Sequence, residues 1–204
     1  MVLNMSHYPQ VKQEFYDQIK KHALLAKDQE SIFEAFSYGE FQHRHEKRKD
    51  SDEPYFIHCT GVALSLLSEP DVEKEFVIAA LLHDTVEDTD TTIELLEQKY
   101  GSKVATVVKA LTKLPSSYKK EMGAERYYQE AFFGPINETS KTYPFIWKIK
   151  LADRRNNLQT YWKTASQAKK DEYVWETHEI LRYTESTETP LRSQILDLLE
   201  KHYS

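Results

Sequence analysis

Four ionisable side chains, His83, Asp84, Glu87 and Asp88, stand within six residues, directly after the apolar run Phe76-Val-Ile-Ala-Ala-Leu-Leu82. A segment apolar on every side makes a buried helix. The spacing predicts that His83 and Asp84 close a core helix, with little access to water. A carboxylate in that position is costly unless something pairs with it. Imidazole and carboxylate together are common ligands of a divalent cation. His83 and Glu87 are four apart, as are Asp84 and Asp88, so a continuing helix would turn all four toward one space. The plainer alternative is a solvated C-terminal turn. It is disfavoured because acids at a helix C-terminus oppose the helix dipole.

Two further residues have reason to face the interior. Ser31, with Glu34 three residues on, reads as the N-cap of a second helix. On that helix Ile32, Phe36 and His43 share a face, and His45 points about 200° away from His43. Taken alone, His43 reads as a satisfied core histidine before it reads as a ligand. Later in the chain, Pro144 suits the first turn of a helix running from Phe145 to about Trp162. Ile146, Ile149, Asp153, Asn157 and Thr160 fall on one of its faces. An aspartate within such a stripe needs a partner, either an ion pair with Arg154 or Arg155, or a metal. Taken together, His43, His83, Asp84 and Asp153 are two imidazoles and two carboxylates on three helices. That donor set suits a first-row divalent metal, and the lack of a thiolate argues against a structural zinc.

The elements that must position these groups are all helical in pattern. Val11, Phe15 and Ile19 mark an amphipathic first helix, Pro9 to Lys27. The charged run Arg44, Lys47, Arg48, Lys49 is followed by Asp50-Ser-Asp-Glu-Pro54, which breaks the second helix. Such a run is usually solvated surface and matters only beside a phosphate pocket. A helix resumes from Tyr55 to Leu67, with His58 at its start. His58 reads there as a residue that orders the backbone or supports the ligands. Glu69-Pro-Asp71 is a turn. Thr91 and Glu94 suggest a capping box, on a helix that stops at Gly101, and Lys103 to Leu111 is the next helix. Leu114-Pro-Ser-Ser117 reads as a loop, and Lys119 to Phe133 as a helix ended by Gly134-Pro135. Ile136 to Thr142 reads as irregular. Two last helices, Ser166 to Tyr183 and Pro190 to His202, complete an all-α reading with no strand pattern and no repeat.

Composition narrows the function classes. The chain has 204 residues, 40% hydrophobic and 29% charged, which suits one helical domain. Five glycines argue against a glycine-rich phosphate loop or a dinucleotide-binding turn. A net charge of −6 argues against a broad nucleic-acid footprint. A single cysteine, Cys59, points to a reducing compartment. With no signal-peptide core and no membrane-length apolar stretch, a cytoplasmic protein is expected. The oligomeric state is not legible.

Four words in the sequence, His43-Arg-His-Glu-Lys-Arg-Lys49, Glu53-Pro-Tyr-Phe-Ile-His58, Ala79-Ala-Leu-Leu-His-Asp-Thr-Val-Glu-Asp-Thr89 and Ile149-Lys-Leu-Ala-Asp-Arg154 with Asn157, come in an order that resembles the hydrolase domain of the RelA/SpoT homologues. These belong to the HD-domain metal-dependent phosphohydrolases, and the resemblance is nearest to single-domain alarmone hydrolases. It implies an all-helical HD bundle over residues 1–204, a motif-bearing core of about 30–165 and C-terminal helices 166–204. The chain ends before a synthetase domain would begin, which sets the expectation of a hydrolase alone. The resemblance further implies Mn²⁺ held by His43, His83, Asp84 and Asp153. Glu87 and Asp88 match the acids that position or deprotonate the attacking water. Arg48 and Lys49 match the basic pair against the nucleotide, and Asn157 and Thr160 match pocket-lining positions. His58 matches a motif histidine that is not a ligand. The implied reaction is removal of the 3′-pyrophosphate from ppGpp or pppGpp, a stringent-response activity on a small nucleotide. Asp52, Cys59 and Arg155-Asn156 depart from the usual Gly, Pro and Leu-His, and residues 113–142 match no assigned pattern. Another nucleotide substrate, such as ppApp, and a catalytically silent nucleotide-binding regulator are the alternatives.

Overall fold

A computed structural model describes residues 7–203 apart from 24, 50, 71 and 161–164. At its centre lies α4 (Lys74–Leu82), in which every residue from Phe76 to Leu82 is buried. No face of this helix is polar, so it is stable only when surrounded. It is surrounded by α2 (Gln29–Gln42), α3 (Phe56–Leu66), α7 (Ser102–Leu111) and α11 (Ile146–Thr160). Each large apolar side chain buried here contributes roughly 1.5–3 kcal/mol. Around this centre, α1 (Tyr8–Lys21) lies on α3, and α6 (Ile93–Tyr100) pairs with α7 across Gly101. Gly101 has φ 87°, a conformation that glycine adopts without the strain of a Cβ. On the other side of α11 lies α13 (Pro190–Tyr203), which buries Leu191, Ile195 and Leu199. The all-α expectation holds among the described residues, where the one extended pairing is an isolated bridge from Lys47 to Pro54.

Several boundaries differ from the sequence reading, each for a local reason. The first helix ends at Lys21, and its C-cap His22 is extended. The second starts at Gln29, after a single 3-10 turn at Ala26–Asp28. Ser31 therefore lies inside the first turn, where its hydroxyl donates back to the Asp28 carbonyl instead of capping. The N-cap of α6 is Thr92, which accepts from the Leu95 amide. Thr91 is turned inward, against Tyr38 and Thr89. The largest difference lies between residues 113 and 142. A loop through Pro115 leads into α8 (Ser116–Met122), which breaks at Gly123, φ 82°. A short turn, α9 (Ala124–Arg126), then widens into a π-helix at Tyr127–Phe133. Gly134-Pro135 opens α10 (Gly134–Ser140) rather than ending a helix, because a proline in a first helical turn forfeits no hydrogen bond. The segment read as irregular is thus helical. The last elements agree closely with expectation: α12 spans Gln167–Tyr183, with Ser166 accepting from the Lys169 amide. The expected end of α11 at Trp162 and the turn residue Asp71 lie outside the described residues.

Candidate metal and nucleotide site

The site forms where the buried helix α4 stops. His83 is its C-cap, Asp84 turns the chain, and the short helix α5 (Thr85–Asp88) starts again at once. Thr85 fixes that turn by donating to the Leu82 carbonyl at 2.7 Å. Glu87 and Asp88 thus belong to a new first turn, hydrogen-bonded through their amides to the Asp84 carbonyl, and not to a helix C-terminus. The helix does not continue, yet His83, Asp84, Glu87 and Asp88 all line one cavity of about 1000 Å³.

Asp153 reaches the same place from the middle of α11. Its Oδ1 lies 3.3 Å from His58 Nε2 and 4.0 Å from His83 Nε2. The neighbours expected to pair with it do not. Arg154 instead pairs at 2.5 Å with Glu176 on α12, and Arg155 donates to Ser65. The partners of Asp153 are Lys150, one turn back at 2.7 Å, and Asn157, one turn on at 2.6 Å.

The structure brings His58 into the same place as His83 and the two aspartates. His58, His83 and Asp84 offer ligand atoms that all lie within 4.8 Å of one another. His58 Nε2 is 3.6 Å and His83 Nε2 3.1 Å from Asp84 Oδ2. His43 is buried as expected. Its ring is tilted 5.0 Å from that of Tyr55, its Nδ1 faces Glu46 at 3.2 Å, its Nε2 has no hydrogen-bond partner, and the charges of Asp84 and His83 act on it. The helical period placed His43 on the buried side of α2, and the structure buries it there. A signal for His58 was present: His58, Val62 and Leu66 share one face of α3, and all three are buried.

The donor chemistry fits a divalent cation. His83 Nδ1 faces the Ala80 carbonyl at 2.8 Å, and a carbonyl only accepts. Nδ1 therefore carries a proton, which leaves Nε2, the atom turned toward Asp84, as the position that a cation would take. Burial lowers the His83 pKa, but Asp84 and then Asp153 outweigh it and push it up to about 9. Burial favours protonated carboxyls at Asp84 and Asp153. Even so, His83 holds Asp84, and Lys150 with His58 holds Asp153, well below the usual carboxylate range. Two ionised carboxylates, strong enough to raise the pKa of the imidazole beside them, call for positive charge here. Tyr55 supports the arrangement by donating to Asp84 Oδ2 at 2.6 Å.

The basic residues face this cluster across the cavity. Hydrogen bonds from the Arg48 amide to the Glu53 carbonyl and from the Tyr55 amide to the Glu46 carbonyl join Glu46–Arg48 to Glu53–Tyr55 as the two sides of a turn. Arg48 and Lys49 line the cavity from that turn, with Asn157. Arg48 also donates to Thr160 at 2.6 Å, and Thr160 lines a second, smaller cavity behind Arg48. Lys113, Lys119, Lys150 and Lys169 line other walls of the large cavity, with Tyr127, Tyr128 and Phe132 of the π-helix. Asp88 sits near the acids; partial burial, then Asp84 and Glu87, push its pKa up to about 6. The Glu87 side chain accepts from the Lys113 amide. A space with ionised metal-type donors at one side and cations around it suits a phosphorylated substrate.

The family profile described as "HD domain" matches residues 35–182. A guanosine-3′,5′-bis(diphosphate) 3′-pyrophosphohydrolase from Aquifex aeolicus is 37% identical over 176 residues, covering 86% of this chain and 22% of its own length. This chain thus spans about a fifth of that relative. The corresponding enzyme MESH1 of Danio rerio is 38% identical, over 63% of this chain and 67% of its own. MESH1 of Mus musculus is 30% identical, over 83% and 93%. A solved structure described as a metazoan orthologue of SpoT that hydrolyses ppGpp superposes with a TM-score of 0.66, at 25% identity, over 84% of this chain and 94% of that one. No helix among the described residues is long and apolar enough to cross a membrane. The helical architecture, the cluster at the end of α4 and these likenesses converge, and the chain belongs to the HD-domain family, among the RelA/SpoT-homologue hydrolases.

Proposed function

We propose that this enzyme removes the 3′-pyrophosphate of guanosine alarmones, ppGpp and pppGpp, yielding GDP or GTP and pyrophosphate, with Mn²⁺ as its metal. The observation that carries the reading is that His83, Asp84 and Asp153 come together, with His58 beside them, on the wall of a cavity otherwise rich in lysine and arginine. His83, Asp84 and Asp153 would hold the cation, joined by one of two buried imidazoles: His58, whose Nε2 faces Asp153 at 3.3 Å, or His43, whose Nε2 has no hydrogen-bond partner. When bound, such a cation supplies a Lewis acid and lowers the pKa of water from 15.7 to about 7.

The remaining work belongs to the side chains of this chain. Asp88, with a pKa near the working pH, accepts the proton of the attacking water. Glu87, anchored on the Lys113 amide, orients that water beside it. Arg48 and Lys49 bind the nucleotide, and the planar guanidinium of Arg48 is suited to stacking on a base. Asn157 and Thr160 hold Arg48 in place, at 3.4 and 2.6 Å. Lys113, Lys119 and Lys169 offset the charge of the phosphates.

The test is a turnover screen in Mn²⁺ over ppGpp, pppGpp, ppApp and ordinary nucleotides, with products separated by chromatography. Release of pyrophosphate from ppGpp is expected. Preferential turnover of ppApp would move the substrate to adenosine alarmones. Orthophosphate from simple monophosphates would replace the reading with a different HD phosphatase. Nucleotide binding without any turnover would make the protein a regulator.

A further inference from the structure

We infer that the smaller cavity behind Arg48 is a second ligand site, one that takes a small organic oxyanion on the guanidinium of Arg155 and weakens nucleotide binding through Arg48. The cavity, of about 550 Å³, lies where α1, α3 and α11 meet. That volume falls within the range of small-molecule sites. The site itself depends on neither the metal nor the substrate. Only its effect on turnover rests on the reading of Arg48 as a nucleotide-binding residue. Glu14, Gln18 and Gln159 at its mouth are exposed, so a solute reaches it from outside. Val11, Ile57 and Leu64 give it an apolar wall.

Two adjacent arginines of α11 meet opposite fates. Arg154 is buried against Glu176 at 2.5 Å. Arg155 lines the small cavity and donates to a neutral group, the Ser65 hydroxyl, at 3.1 Å. Its Nε is buried and meets no hydrogen-bond acceptor. Burial lowers its pKa, and no neighbouring carboxylate opposes that shift. A partly desolvated guanidinium with an unmet donor is costly. A carboxylate or phosphate matches its planar fork with two parallel hydrogen bonds. The acids that share the cavity are engaged elsewhere. Glu53 accepts from the His7 and Tyr8 amides at 2.5 and 3.2 Å, and Glu14, on the exposed rim, accepts from Gln18 at 2.9 Å. The polar end of the ligand is thus set by Arg155, and its body by the apolar wall.

Arg48 connects this cavity to the chemistry, because it lines both the small space and the large one. Thr160 holds it between them, accepting from Arg48 at 2.6 Å and donating to the Asn156 carbonyl at 3.0 Å. Asn156 and Thr160 line the small cavity on the same helix as Arg155. An anion seated on Arg155 therefore shares Arg48 with a nucleotide on the other side. Two anions flanking one cation repel each other, and each weakens the binding of the other by the same factor.

The probes are phenyl phosphate and benzoate, which carry the two oxyanions on the same apolar ring, with inorganic phosphate as the ion without a body. Spectra correlating ¹H and ¹⁵N in the arginine-labelled, metal-free full chain read the Nε–H of Arg155, assigned by its absence in Arg155→Leu. Both organic probes are expected to shift that signal, and inorganic phosphate to shift it less. In Mn²⁺, the better organic probe is expected to raise KM for ppGpp about fivefold in the parent, with kcat unchanged. It is expected to leave KM alone in Arg155→Leu, whose turnover without probe should match the parent. A larger shift with phenyl phosphate assigns the site to phosphate esters, and a larger one with benzoate assigns it to carboxylates. An Arg155 signal that neither probe moves would overturn the inference. So would a KM raised equally in parent and variant, which places the probe in the nucleotide site itself. A shifted signal with KM untouched would overturn the coupling through Arg48. Should Arg155→Leu not fold, Arg155→Lys assigns the signal, and Leu64→Trp, which fills the apolar wall and keeps the guanidinium, is expected to abolish the shift. If ppGpp is not turned over at all, the proposed function fails while the Arg155 signal still decides this site.

Discussion

Two buried charged regions share this cavity and are built on opposite plans. On the wall formed by α12 and the π-helix, every carboxylate is matched. Glu176 accepts from Arg154 and Tyr128, and Glu172 accepts from Lys119, Lys169 and Tyr128. At the end of α4, ionised carboxylates stand beside imidazoles whose Nε2 atoms, at His83 and His43, find no hydrogen bond. Both regions bear the desolvation cost of buried charge. The first offsets it within the protein and so acts as scaffold. The second leaves part of it for a bound cation and so acts as chemistry. Burial of polar groups does not distinguish scaffold from site, but incomplete pairing does.

The sharpest way to break this contrast is to remove one ligand from the unpaired side. Asp84→Ala is expected to lower turnover of ppGpp by about a thousandfold or more, since the metal supplies several kcal/mol of barrier lowering. Secondary structure by circular dichroism should survive, and chelation of the metal should reproduce the loss. Substantial activity in that variant would mean that the cluster is structural.

The paired side predicts the reverse. Glu176→Ala leaves Arg154, itself 2% exposed, as an uncompensated buried charge. It should cost about 3–5 kcal/mol of unfolding free energy in urea titration. Residual activity per folded molecule should change far less than in Asp84→Ala. Equal losses of activity in the two variants would erase the distinction between the regions.

Asp88→Asn sits between the plans, because Asp88 shares the acids' field without being a ligand. Its kcat is expected to fall by about 10²–10⁴-fold, with metal affinity retained. Lys49→Ala, on an exposed rim, is expected to raise KM about tenfold or less, an effect that shrinks as salt rises.

The smallest effect concerns pH. Burial would raise the pKa of Glu172, but Lys119, Lys169 and Tyr128 outweigh it and bring it down to about 2. A folded pKa below the unfolded one contributes stability above the unfolded value near 4.3, and that contribution is lost as pH falls through about 2. The group is partly solvated, so screening leaves it well under about 1 kcal/mol. Glu172→Gln should flatten the acid limb of the stability curve between those two pH values. An unchanged acid limb would show that the Glu172 pairs are too solvated to count.

The elements read most securely from sequence were those whose burial is one-dimensional. The run Phe76 to Leu82 has one apolar solution, a core helix, and His83-Asp84 at its end follows from that. Asp153 was legible for the same reason, as a charge set in the apolar stripe of α11. Where the reading failed, the deciding force was not local. Residues 113–142 are rich in tyrosine and charge, and their helical and π turns are held by contacts with distant groups, such as Lys119 with Glu172 and Tyr128 with Glu176. Lys150, not Arg154, became the partner of Asp153 because α12 supplied Glu176 to the arginine.

The amino-acid order by itself determined the helical class, the buried stop at His83-Asp84 and the inward stripe with Asp153, because periodicity and apolar runs act over one or two turns. It also placed both His43 and His58 near the chemistry. Only the tertiary structure set how each of them stands to the carboxylates. Distances between groups far apart along the chain depend on how helices pack, and the place of His58 beside Asp153 is set by how α3 lies against α11.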